Sequence, residues 1–216
     1  MNGKLVRECL SEPIPEIFTA AEKLSAAVIA HASGRFTEAA RLLEAANDPV
    51  VWNYTDAAWG AGAKARYGFV HVPSAPPALR LQDRPVPRMP TAATRRLVVQ
   101  RDGYHCRFCG MPVIDAAIRR LIKTIYPDSL GWGATNPSQH AAFQCMWLQY
   151  DHVIPNSRGG ASTLDNVVVT CAPCNFGRME TTLEEARLIN PLSHPTPRKW
   201  QGFESWNGLE GFRLPS

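Results

Sequence analysis

Residues 101–110 read Arg-Asp-Gly-Tyr-His-Cys-Arg-Phe-Cys-Gly, residues 150–155 read Tyr-Asp-His-Val-Ile-Pro, and residues 165–178 read Asp-Asn-Val-Val-Val-Thr-Cys-Ala-Pro-Cys-Asn-Phe-Gly-Arg. Two Cys-x-x-Cys pairs, Cys106 with Cys109 and Cys171 with Cys174, thus bracket an Asp-His unit and two asparagines. Four thiolates so spaced are the usual means of closing a tetrahedral zinc site. A glycine directly after the first pair, Gly110, lets the backbone turn tightly around a metal. The metal would staple the helix expected before Cys106 to the segment around Cys174. In a small domain such a staple supplies much of the folding free energy.

Outward from this stretch, residues 146–154 and 167–170 carry apolar and β-branched residues and predict two strands. The loop between them holds Gly159-Gly160 and is too long for a tight hairpin. A short helix carrying Asn175 and Arg178 is expected after Cys174. Thr182-Leu-Glu-Glu185 is a capping box opening a further helix. Upstream, residues 94–102 predict an amphipathic helix with Leu97 and Val98 inward and Arg95, Arg96 and Arg101 outward. Residues 115–125 predict another, and 139–147 one or two helical turns.

The first part of the chain reads differently. Ile17, Phe18, Ala21, Leu24, Ala27 and Val28 recur at helical spacing, Gly34 interrupts, and a second helix runs to Asn47-Asp-Pro49. Trp52, Tyr54, Trp59, Tyr67 and Phe69 follow. Aromatics this dense can stack on bases, but few cations interleave them, so they read as the core of a small helical unit. Six prolines between 73 and 90 predict an extended, sheet-free linker. The organisation expected is α+β: a helical N-terminal module (1–72), a proline-rich linker (73–93), a metal-stapled domain (94–190) and an irregular tail (191–216).

Composition bounds the function classes. At 216 residues and 45% hydrophobic the chain is a folding sequence, not a disordered one. The N-terminal stretch carries Lys4, Arg7 and Glu8 and lacks an apolar signal region, and no stretch approaches a membrane span. A reducing, cytoplasmic setting is expected, in which paired cysteines are metal ligands more often than disulfides. Cys9 and Cys145 stand outside the pairs and read as free, Cys145 as a small core residue. The net charge of +4 is compatible with an anionic partner without specifying one.

The combined pattern resembles the HNH endonuclease family, over about residues 94–188. Its fold is a ββα-metal finger, and the resemblance implies hydrolysis of DNA phosphodiester bonds. His152 matches the first histidine of the motif, and a neutral imidazole near pH 7 suits a general base that activates water. By resemblance Asp151 ligates a catalytic Mg²⁺ or Mn²⁺, ions suited to a hard carboxylate oxygen. Asn166 matches the central asparagine, whose amide can bond across the loop and fix the His152 ring. Asn175 stands where the namesake pattern has its last histidine, an HNN-type variant, and can still offer a carbonyl oxygen to a hard metal. Arg101, Arg107, Arg158 and Arg178 are the candidate phosphate contacts. His105 reads as a surface residue or one beside the zinc.

Two other classes stay open at this point. One is a zinc-stabilised module that binds nucleic acid or protein without catalysis; the other is a zinc redox switch, although neither pair has a thioredoxin-like context. The N-terminal helices are the expected surface for a protein partner or self-association. Defence, restriction and mobile-element processing are all compatible with the pattern.

Overall fold

The computed structural model describes residues 6–59, 63–197 and 200–213; Lys4 lies outside them. Helices α1 (Pro15–Ala32), α2 (Phe36–Ala45), α3 (Pro49–Trp59) and α4 (Ala63–Tyr67) come first. Next are α5 (Ala92–Asp102), α6 (Ala116–Ile125) and α7 (Ala141–Cys145). Strand β1 (Gln149–His152) pairs antiparallel with β2 (Val167–Thr170), placing Asp151 opposite Val168 and His152 opposite Val167. Helices α8 (Ala172–Arg178) and α9 (Leu183–Ala186) close the finger. The architecture is α+β, with a ββα unit of β1, β2 and α8.

Local signals set most boundaries. Gly34 at φ +72° separates α1 from α2. The Thr91 hydroxyl accepts from the Thr94 amide to cap α5, and Asp115 does the same for α6 through the Ala117 amide. Both halves of the Thr182–Glu185 capping box form. The face of α5 differs from expectation. Val98 is buried, but Leu97 is 49% exposed, because the helix turns its inward face by way of Val98 and Asp102 toward β2.

The N-terminal helices share a buried core with the segment that carries the cysteine pairs. Ile17, Leu24, Leu43 and Val51 belong to the same buried cluster as Phe108, Ile118, Phe143 and Val169. Helix α3 packs on α7 and α8. Buried polar bonds fix the docking: His31 Nδ1 to the Tyr126 hydroxyl (2.9 Å), His140 Nε2 to the Leu43 carbonyl (2.9 Å), and the Ala141 amide to Asn47 Oδ1 (2.7 Å). Asn47, which reads in the sequence as a helix terminator, thus also caps α7 94 residues along the chain. The C-terminal tail is irregular but packed. Trp200 stacks on Phe18 with ring centroids 3.6 Å apart, and Phe203, Leu209 and Phe212 are buried.

The proline-rich segment is sheet-free, as expected, but it is a strap on the finger rather than a free tether. Prolines lack amide donors and leave their carbonyls open. The β1–β2 loop supplies the donors: Asn156 Nδ2 to the Pro85 carbonyl (2.9 Å) and the Ser162 hydroxyl to the Pro87 and Arg88 carbonyls (2.8 Å each). The strap's own Leu79 amide donates to the Ser157 carbonyl at 2.8 Å.

Asp102 ties α5 to the sheet. Its buried carboxylate takes two bonds from Arg101 (2.6 and 2.8 Å) and one from the Val169 amide (2.9 Å). Removing it strands a buried amide and an arginine with no counter-charge. Asp102→Ala is expected to cost about 3 kcal/mol of stability. A denaturant titration with an unchanged midpoint would contradict this.

Candidate metal centre and adjoining cleft

Cys106 and Cys109 lie on a knuckle after α5, and Cys171 and Cys174 at the start of α8. All four are buried, and their sulfurs lie within 4.8 Å of one another. Cys109 and Cys171 Sγ are 3.7 Å apart. Zinc–sulfur bonds of about 2.3 Å in a tetrahedron place sulfurs about 3.8 Å apart, so the cage has the right size. The knuckle closes by the Gly110 amide donating to the Cys106 carbonyl (2.9 Å), with Gly110 at φ +77°. A Cβ there would stand 2.7 Å from the Pro197 carbonyl oxygen, so glycine is required twice over. In the second knuckle the Cys174 amide points at Cys171 Sγ, 3.5 Å away.

Without a cation these thiols share protons unevenly. Burial raises Cys106, but hydrogen bonds from the other three cysteines outweigh it and hold this thiol low. Burial raises Cys171, and its bonds with Cys106 and Cys109 add to that; for Cys174 the bonds with the other three cysteines come first. A bound cation is what lets four thiolates coexist, so the cluster is suited to a structural metal such as zinc.

Beside the cage, β1 ends in Asp151 and His152. Arg178, 1% exposed, reaches back from α8 and grips Asp151 with bonds of 2.7, 2.7 and 3.0 Å. It also donates to the carbonyls of His152, Val153 and Thr181. Burial pushes the Asp151 carboxyl up, and the Arg178 guanidinium opposes that. His152 Nε2 lies 2.9 Å from Ser162 Oγ. The single Ser162 proton is directed to the strap carbonyls of Pro87 and Arg88, 2.8 Å away, so the hydroxyl accepts from His152. That assigns the proton to Nε2 and leaves Nδ1 as the basic nitrogen. Burial, then the charges of Arg178 and Arg88, push the imidazole below its ordinary value of 6.5, so it is neutral at pH 7.

Asn166 staples the loop. Its Oδ1 accepts from the Ile154 amide (2.8 Å), and its Nδ2 donates to the carbonyls of Ile154 (3.1 Å) and Ala161 (2.9 Å). The amide bonds across the loop as the sequence suggests, but it holds the backbone after His152 and not the ring. Gly160 makes this possible, since a Cβ there would fall 1.7 Å from the Ile154 oxygen. Asn175, on α8, has no side-chain partner among the described residues.

Asp151, His152 and Asn175 line one cleft of about 400 Å³ with Arg84, Arg88 and Met89 of the strap, and with Asn156, Phe176 and Met179. The four arginines singled out from the sequence are engaged elsewhere. Arg178 is buried against Asp151. Arg107, 6% exposed, is spent on the carbonyls of Pro191 and His194 and on Thr196. Arg101 holds Asp102 and the carbonyls of Leu164 and Val167. Arg158 bonds the Pro76 carbonyl and Glu185. Arg84 and Arg88, inside the proline-rich segment, line the cleft. Their signal in the sequence was only that they belong to a run of arginines leading to the first cysteine pair. His105 is not at the surface: it is 4% exposed, with Nε2 2.9 Å from the Phe203 carbonyl. Cys145 is a buried core thiol pushed up to about 12 by burial.

Residues 141–188 match the family model described as HNH endonuclease. The match spans α7 to α9 with both strands, and so includes Asp151, His152, Asn166, Asn175 and the second cysteine pair, bearing out the resemblance for this segment. The first cysteine pair lies outside it. No curated protein and no solved structure matches the chain. No helix among the described residues is long and apolar enough to cross a membrane.

The cage predicts one tightly held metal per chain by elemental analysis. Stripping it with a strong chelator, or Cys109→Ser, is expected to lower the melting midpoint by roughly 10 °C or more. A metal-free protein with the same midpoint would remove the stapling role.

Proposed function

We propose that this chain is a metal-dependent HNH endonuclease that hydrolyses DNA phosphodiester bonds, with His152 as general base. The observation that carries the reading is the Ser162-anchored imidazole of His152, with Nδ1 left basic, in the same cleft as Asp151, Asn175 and two arginines.

The metals divide by donor type. The four thiolates fit zinc, and a closed four-sulfur cage leaves no open position, so its role is structural. Asp151 and Asn175 offer hard oxygens that fit Mg²⁺ or Mn²⁺. Arg178 places two bonds on Asp151 Oδ2 and one on Oδ1, so Oδ1 is the oxygen with a lone pair to offer, and the Asn175 carboxamide is uncommitted. Mg²⁺ characteristically takes only one or two protein ligands and keeps several waters. Such an ion, when bound, stabilises charge on the phosphate and the leaving oxygen.

The side chains of the cleft do the rest. His152 Nδ1 accepts a proton from the attacking water, while Nε2–H stays anchored on Ser162. Arg178 holds Asp151 in place, and Asn166 holds the loop after His152. Arg84 and Arg88 contribute positive charge for the phosphate backbone, which orients the strand without reading its sequence. A second reading, a zinc-stabilised binding module without catalysis, draws on the same Arg178–Asp151 pair, because three bonds from Arg178 make Asp151 a structural counter-ion.

Plasmid cleavage by purified protein with Mg²⁺ or Mn²⁺ decides between them. Nicking or linearisation that is abolished by EDTA and reduced about 10²-fold or more by His152→Ala is expected. Cleavage at full rate by that variant would remove His152 as the base, and a folded, zinc-loaded protein that does not cut would favour the binding module. Ser162→Ala, at a half-buried position, is expected to lower the rate about tenfold and to mix the imidazole tautomers seen by ¹⁵N NMR. An unchanged Nε2–H signal would show that Ser162 does not set the tautomer.

A further inference from the structure

A second cavity of about 340 Å³ adjoins the cleft, and the two share Phe176 and Met179. Its remaining lining is three carboxamides, Asn136, Gln139 and Gln144, and two indoles, Trp59 and Trp147. We propose that this cavity receives a single nucleobase of the substrate, turned out of its stack beside the scissile phosphate. The proposal rests on the nuclease reading above and names what the same site binds.

The lining has the chemistry of a base. Trp59 meets Phe176 edge-on at 5.3 Å, and Trp147 lies 6.3 Å from Phe176, so π surfaces flank the space. Base–aromatic stacking is the common currency of unpaired-strand binding. Carboxamides offer a donor and an acceptor each, the complement of a base edge. The Asn136 side chain has no partner among the described residues. Gln144, 2% exposed, donates to the Asn136 carbonyl (3.4 Å) and to Gln139 Oε1 (3.2 Å), and its own Oε1 accepts nothing among the described residues. The Trp59 indole N–H is buried without a partner among the described residues, where a purely structural wall would be expected to satisfy it internally.

Continuity with the cleft selects the occupant. Asn175 faces the cleft, and the next residue, Phe176, forms the wall between the two spaces. Met179, at φ 52° and ψ −120°, pays for its position with a backbone that non-glycine residues avoid. Phe176 is 37% exposed and Met179 56% exposed. Exposed apolar side chains at the edge of a phosphate-binding cleft are the type that wedge between bases and unstack them. A strand whose phosphate sits at His152 would meet this ridge, and the cavity lies directly behind it.

The test uses the full, zinc-loaded chain carrying His152→Ala, with no Mg²⁺ or Mn²⁺ added and no chelator, so that binding is read without cleavage. The probe is a short duplex with 2-aminopurine opposite an abasic site, beside the same duplex fully paired. Tighter binding of the unpaired probe, with a change in its fluorescence, is expected. Trp59→Ala and Asn136→Ala should each weaken that binding about tenfold while leaving the paired duplex unaffected. Asn136 is exposed, so its variant stays informative should Trp59→Ala prove unstable in a thermal melt. Equal affinities for the two probes, or no effect of the Asn136 variant, overturn the base pocket and leave His152-dependent plasmid cleavage standing. No binding of either duplex overturns the pocket and the DNA reading together.

Discussion

Four buried sulfurs within 4.8 Å of one another cannot all carry charge unless a cation holds them. The cage therefore reinforces the junction of two chain segments that hydrogen bonds already bring together. One is the knuckle after α5, which reaches β2 through the Arg107 amide and the Val169 carbonyl, 2.9 Å apart. The other is the start of α8, where Cys171 is both a member of the sulfur cage and the N-cap residue. Fixing these two points sets the direction of α8. That direction in turn sets where Asn175 and Arg178 project, and the two-stranded sheet, too small to be stable alone, is held from both sides.

Around that staple the finger is tightened by buried cations. Arg178 spans β1, the start of the loop and the turn after α8, and Arg107 gathers the C-terminal tail. A guanidinium presents five donors in a fixed fork, and carbonyls at strand ends and turns are open acceptors. Arginine is therefore suited to tying irregular backbone where no ladder forms. Such an arginine looks, in a sequence, like one poised for phosphate. The difference lies in which carbonyls surround it, and composition does not carry that information.

What the sequence makes legible follows from how local each signal is. The cysteine pairs, the Asp-His unit, the caps at Asp115 and Thr182 and the break at Gly34 are short-range, and each appears where its spacing indicates. Gly160 is legible only as part of a Gly-Gly loop; that a Cβ would collide with the Ile154 carbonyl needs the folded loop. The joining of the helices at 1–72 to the rest was hidden, because His31, His140 and Asn47 find their partners some ninety residues away, at separations of 95, 97 and 94. The strap was hidden for a related reason. Six prolines announce an absence of donors, and only the β1–β2 loop shows that donors arrive from outside. The consequence reaches the cleft, since Ser162 takes its orientation from strap carbonyls and passes it to His152.

Helix α8 concentrates these dependencies within five consecutive residues. Successive positions on a helix are about 100° apart, so each faces a different neighbour. Cys174 meets the metal cage, Asn175 the cleft, and Phe176 the wall between cleft and side cavity. Gly177 turns to the helical layer, where a Cβ would come within 3.0 Å of Leu10 and 3.1 Å of the Ala58 carbonyl. Arg178 turns to Asp151. A helix of 7 residues has too little packing of its own to keep these directions apart, so they are imposed by what it touches. The Gly177 contact is the one that makes α3 part of the site. By pressing on the back of α8, the N-terminal helices hold Asn175 toward the cleft and bring Trp59 against Phe176, so the aromatic segment of the helical part becomes a wall of the side cavity.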